Sequence, residues 1–188
     1  DQSTTYAALR DRALSRAKSL HALGVEPGDH VGVPLPTCMD FVDTLFAISM
    51  LGAVTVPINA RYKPPEIAYV TENADLVTLI TTDEFDDAVD FVERVQAAFP
   101  DLADASDPLS LSLGGAPLLR NIVIFGSASA PGMLTNAQLD ALADGVNEDE
   151  VHRRRLQTRL GSTALIMYTS GTTSNPKGCM ISHESMVR

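Results

Sequence analysis

Positive charge is scarce in this sequence. Lys and Arg number 14 against 24 Asp and Glu in 188 residues, a formal net charge of −10. That balance excludes a general nucleic-acid or anionic-membrane surface, since both need clustered cations. Cysteine is nearly missing as well. Cys38 and Cys179 lie far apart and form no metal or redox spacing, so two reduced thiols in a cytoplasmic protein are expected. No apolar run approaches the ~18–20 residues that cross a bilayer, and no signal peptide opens the chain, so neither a membrane span nor export is expected. What is present is ordinary: 45% hydrophobic and 20% charged residues, enough for one globular unit with a sizeable core.

Apolar periodicity alternates between two kinds along the chain. Thr4 or Thr5 can cap a helix running to about Leu23, with Leu9, Ala13, Ala17 and Leu20 on one face. His30 to Leu35 reads as a first strand, and about Asp40 to Leu51 as a helix facing inward through Phe41, Leu45, Ile48 and Leu51. Val54–Ile58 is a second strand, Pro64 to Asn73 a short helix, and Leu76–Thr81 a third strand. Asp83 is expected to cap a helix with Phe85, Val89, Val92 and Val95 inside. Its other side carries Asp86, Asp87, Asp90 and Glu93, read as a solvated face and not a metal site. Residues 100–117 read as a surface loop or an insertion, Asn121–Phe125 as a fourth strand and about Asn136 to Ala143 as a helix. Asp149–Arg153 and Glu150–Arg154 have the spacing of helical ion pairs, so Arg153-Arg154-Arg155 is taken as structural. Strands alternating with helices predict an α/β unit whose sheet is mainly parallel and flanked by helices.

Chemistry is concentrated near the end of the chain. After the apolar strand Thr163–Met167 comes Tyr168-Thr169-Ser170-Gly171-Thr172-Thr173-Ser174-Asn175-Pro176-Lys177-Gly178. Its hydroxyls can donate to phosphate oxygens, its glycines can turn backbone N–H groups inward at φ values other residues resist, and Lys177 adds one cation. No carboxylate lies within it to repel an anion. A polar connector would rarely follow a strand so directly or end in Pro-Lys-Gly. A Walker-type loop does not fit, because Pro176 stands where Gly should precede the lysine and Gly178 replaces the magnesium-holding hydroxyl. Cys179–Ser182 resumes at once, so the loop is expected to join two antiparallel strands, and Ser182 to cap a helix starting at His183.

This run resembles the phosphate-binding loop of the adenylate-forming (AMP-binding) superfamily, which holds acyl- and aryl-CoA synthetases, peptide-synthetase adenylation domains and beetle luciferases. A chance match at its Ser, Gly, Thr, Thr, Pro, Lys and Gly positions has a probability on the order of 10⁻⁹ per start site. Ser174 departs from the family's usual Gly and is similar to some carnitine- and crotonobetaine-type CoA ligases. Thr5-Tyr6-Ala7-Ala8-Leu9, Leu23 to Val31 and Gly52 to Asn59 resemble other N-terminal segments of the superfamily. The fold implied is the N-terminal subdomain of the adenylate-forming fold, ending in a strand-loop-strand phosphate-binding element.

The resemblance implies ATP-dependent activation of a carboxylic acid, a fatty acid first among candidates, to an acyl-adenylate, then thioester formation with CoA. ATP, Mg²⁺ and CoA are the implied cofactors and co-substrates. The implied nucleotide-binding set is Thr169, Ser170, Gly171, Thr172, Thr173, Ser174, Asn175, Pro176, Lys177, Gly178 and His183. Lys177 and Thr172 are its catalytic members, and Thr169 offers a hydroxyl to Mg²⁺. Small-molecule substrates are the expected partners, with no nucleic acid. Because the chain runs from Asp1 to Arg188, it is expected to be a truncated N-terminal portion, inactive alone. Alternatives are an acyl-AMP ligase, an aryl- or carnitine-type CoA ligase, a peptide-synthetase domain, or a non-catalytic nucleotide-binding module. Cys179 is expected to serve strand packing.

Overall fold

A computed structural model describes residues 3–84, 89–169 and 175–188. Helix α1 (Tyr6–Ala22) begins where the Thr5 hydroxyl accepts the N–H of Ala8, and it buries Ala13, Ala17 and Leu20. Strand β1 (His30–Val33) follows, then α2 (Met39–Met50), β2 (Val54–Pro57), α3 (Pro64–Asn73) and β3 (Leu76–Thr82). Next come α4 (Phe91–Ala98), a 3₁₀ turn at Pro100–Asp104, β4 (Asn121–Phe125), β5 (Leu134–Thr135) and α5 (Asn136–Leu142). The last elements are α6 (Glu148–Gln157), β6 (Thr163–Thr169), β7 (Lys177–Ser182) and α7 (His183–Val187).

The strands form one seven-stranded sheet in the order β5-β4-β3-β1-β2-β6-β7. Every neighbouring pair is parallel except β6–β7, which is antiparallel. The mainly parallel α/β expectation therefore holds, as does the antiparallel exit. Alternation along the strands splits the core in two. Ile122 and Ile124 of β4 join Val54, Val56 and Ile166 beneath α3 and α4. Val123 and Phe125 join Val31, Val33 and Ile80 beneath α1, α2 and α5. Burial of β1 to β4 on both faces explains why these strands read as unbroken apolar runs.

Four expectations need correction. Asp83 does not cap the fourth helix. Its carboxylate accepts the N–H groups of Ser127 (3.0 Å) and Ala128 (2.6 Å), stapling the chain after β3 to the turn after β4. Gly126 allows this approach, since a Cβ there would lie 1.5 Å from an Asp83 carboxylate oxygen. Asp90 caps α4 instead, accepting the N–H of Glu93 at 2.7 Å, while Phe85, Asp86 and Asp87 lie outside the described residues. The 100–117 stretch is not merely surface: Leu102, Leu111, Leu113 and Ala116 are buried in the core under α3 and α4. In α2 the inward side carries Asp43 and Thr44 beside Ala47 and Ile48, because Arg12 reaches across from α1 to neutralise Asp43. Finally, Arg154 pairs with Glu150 as expected, but Arg153 also turns to Glu150 and not to Asp149.

Candidate functional site

Every parallel strand ends at the same edge of the sheet, the edge outside which open α/β sheets bind ligands. Strand β6 is parallel to β2, so its last residue, Thr169, lies at that edge. The return strand starts at Lys177, two residues earlier than Cys179, and Thr169 pairs with Lys177 across the hairpin. The stretch between them holds the hydroxyl-rich motif. Of that motif, Ser170, Gly171, Thr172, Thr173 and Ser174 lie outside the described residues, whereas Thr169, Asn175, Pro176, Lys177 and Gly178 lie within them. Thr169, Asn175 and Lys177 are exposed, and among the described residues Lys177 forms no ion pair. A hydroxyl and an ammonium thus face solvent at one strand edge, a donor set suited to an anion.

Gly178 serves this site by a route other than the one its sequence suggests. It pairs with Tyr168 and lacks the positive φ found at other glycines of the chain. Its value is space: an added Cβ would come within 2.9 Å of Ile166 Cγ2 and 3.2 Å of Tyr168 Cζ. The missing side chain lets the Tyr168 ring lie against the hairpin and the core under α3. The Tyr168 hydroxyl then donates to Asn73 Oδ1 at 2.7 Å. Burial pushes the Tyr168 phenol above its ordinary pKa, helped by Tyr69, Asp75 and Tyr62, so it stays a neutral donor. Nothing in the sequence singled out Asn73, which reads only as the end of a helix.

His183 is not brought to this edge. Ser182, just before it, pairs with Thr163 at the opposite end of β6, six strand steps or ~20 Å from Thr169. There His183 lines an apolar cavity of about 370 Å³ with Phe46, Met50, Leu160 and Val187, and its Nε2 is buried without a hydrogen-bond partner. Cys179 is free and exposed, not packed, because β7 is the edge strand and its outer surface is uncovered. As a magnesium ligand, Thr169 could supply one oxygen. Mg²⁺ takes six, and it is commonly held by one or two protein oxygens plus substrate phosphates and water, so the donor set fits only alongside a bound polyphosphate. Among the described residues there is no group of three His, Cys, Asp or Glu that could hold a metal by itself. No described helix is long and apolar enough to cross a membrane.

Comparison with known proteins accords with this geometry. The chain is 29% identical over 190 residues to the 3-oxocholest-4-en-26-oate--CoA ligase of Rhodococcus rhodochrous, an alignment covering 100% of this chain and 30% of that one. It is 29% identical over 186 residues to the crotonobetaine/carnitine--CoA ligase of Proteus mirabilis, covering 97% and 31%. Among solved structures, the anthranilate CoA ligase AuaEII in complex with anthranoyl-AMP superposes with a TM-score of 0.70 at 25% identity, covering 98% of this chain and 30% of that one. The chain therefore spans about a third of the length of the relatives it matches. The family model of the AMP-binding enzymes matches residues 1–188, and the chain belongs to that family.

Proposed function

We propose that this chain is the N-terminal, triphosphate-gripping portion of an AMP-forming acid–thiol ligase. The whole protein would couple a carboxylic acid to CoA. In the first half-reaction a carboxylate oxygen attacks the α-phosphorus of ATP, forming the acyl-adenylate and releasing pyrophosphate. In the second, the CoA thiol attacks the acyl carbon, AMP leaves and the thiol proton is released. A fatty acid is our first candidate for the substrate. Relatives named for a steroid carboxylate and for carnitine widen the class to carboxylic acids in general.

The observation that carries the reading is the antiparallel rung between Thr169 and Lys177 at the carboxyl edge of the sheet, which closes the hydroxyl-rich turn. In this proposal Lys177 and Thr172 stabilise the charge that builds on leaving pyrophosphate, and Ser170 and Thr173 help hold the β- and γ-phosphates. Thr169 offers its hydroxyl to Mg²⁺, which when bound would neutralise phosphate charge. The chain alone is expected to be inactive, because holding the carboxylate in line with the α-phosphorus accounts for ~7–11 kcal/mol of the barrier in such reactions. The test is pyrophosphate release by the full-length protein against a panel of fatty, aryl and betaine-type carboxylic acids. Release that depends on both ATP and one class of acid supports the proposal, and no release with any acid refutes it.

A further inference from the structure

The free end of β6 has little to hold it. Its pairing with β2 is at Thr55–Leu165, while β2 itself ends at Pro57. On its other side, among the described residues, lies β7, the last strand of the sheet. Among the described residues Thr169 therefore projects at the end of the sheet's last hairpin. Besides the packing of the Tyr168 ring on the core, one side-chain hydrogen bond among the described residues ties that end back to the fold: the Tyr168 hydroxyl donates to Asn73 Oδ1 at 2.7 Å. Asn73 is the last residue of α3, a helix seated on the core by Ile67 and Val70. Tyr168 immediately precedes Thr169, and its cross-strand partner Gly178 immediately follows Lys177. This hydrogen bond thus lies one residue from each side of the turn, and the absent Gly178 side chain is what admits the ring.

We propose that Asn73 is a positioning residue, fixing the distance and orientation of Thr169 and Lys177 through Tyr168 so that both can address one polyphosphate. This rests on the nucleotide-binding reading above. A hydrogen bond of this kind changes an equilibrium by a factor of roughly 2–10. The effect falls on Thr169 and Lys177 and leaves the rest of the sheet alone, because within the sheet the hydrogen bond touches the end of β6.

The test combines residue-resolved amide hydrogen exchange without ligand and titration with Mg-ATP, for the wild-type chain, Tyr168→Phe, Asn73→Ala, Asn73→Asp and the double variant Asn73→Ala/Tyr168→Phe. Exchange at residues 167–169 and 177–179 is expected to quicken about fivefold in Tyr168→Phe and Asn73→Ala, with residues 163–165 and 181–182 unchanged. The Mg-ATP dissociation constant should rise about fivefold in each single variant and no further in the double variant, since both remove one bond. Asn73→Asp keeps an acceptor for the hydroxyl and should restore both readouts. Unchanged exchange in both single variants would overturn the tether. Quickened exchange with an unchanged dissociation constant would overturn the positioning role. Absence of Mg-ATP binding by the wild type, with the exchange pattern intact, would overturn the nucleotide-binding reading and leave the tether supported.

Discussion

Thr169 and Lys177 form the last rung of the β6–β7 ladder, a hydroxyl-bearing residue directly across from a cationic one. Among the described residues Lys177 has no carboxylate within ion-pair distance, so its charge is not already spent on a neighbour. Lys177→Ala in the full-length protein should slow adenylation by roughly 10²-fold or more, since a preorganised contact to developing charge is worth about 3 kcal/mol. The rate of carboxylate-dependent pyrophosphate release measures this. A rate within threefold of wild type would remove Lys177 from the reaction.

Gly178→Ala should destabilise the chain by about 1–2 kcal/mol, because the new methyl meets Ile166 and the Tyr168 ring, both held by the core. Its thermal midpoint should fall, and adding Tyr168→Ala should relieve the ring contact but not the closer one with Ile166 Cγ2. An unchanged midpoint in the single variant would show that the hairpin can move aside without cost.

Arg12→Ala tests the joint between α1 and α2. Arg12 donates to both Asp43 carboxylate oxygens, at 2.7 and 3.1 Å, and the Asp43 side chain is only 5% exposed. Stranding a buried carboxylate is destabilising, but Arg12 is 42% exposed and water can replace part of it, so a moderate loss of stability is expected. Urea unfolding measures the loss, and a midpoint unchanged from wild type would mean that Asp43 is already solvated.

His21 has its pKa lowered, first by burial and then by the nearby Arg154 charge. Its unfolded form takes up a proton near pH 6.5 while the folded form does not. Stability should therefore be full above about pH 6.5 and fall as pH drops through the lower folded value. Thermal midpoints at pH 7.5 and 5.5 should differ less in His21→Gln than in wild type. Equal differences would assign the acid sensitivity to other groups.

Much of the fold was legible because local signals agreed with the global one. Thr5 caps α1, Pro64 opens α3, Ser182 caps α7, and the apolar runs at 76–81 and 121–125 are strands buried on both faces. What escaped reading depends on contacts remote in sequence. Asp83 resembles a helix cap until β4 brings Ser127 and Ala128 beneath it. Strand β5 is two residues long, too short for periodicity to show. The anion-suited residue types of the 169–178 run were plain in the sequence, and so was the antiparallel return that pairs Thr169 with Lys177. The Asn73 tether was not, since a helix-terminal asparagine 95 positions from its partner carries no local pattern. Gly178 was singled out for the wrong property: its lack of bulk matters here, not its freedom of φ.

The central claim, that the β6–β7 turn grips a triphosphate, is tested most directly by titrating the isotopically labelled chain with Mg-ATP while following individual backbone amides. The account predicts weak binding that weakens further with added salt, as expected for contacts made by an exposed cation. Shift changes should concentrate at Thr169, Asn175, Lys177 and Gly178, leaving Ser182 and His183 at the far end of the hairpin unmoved. Saturable shifts centred anywhere else, or none near Thr169 and Lys177 at millimolar nucleotide, would contradict it.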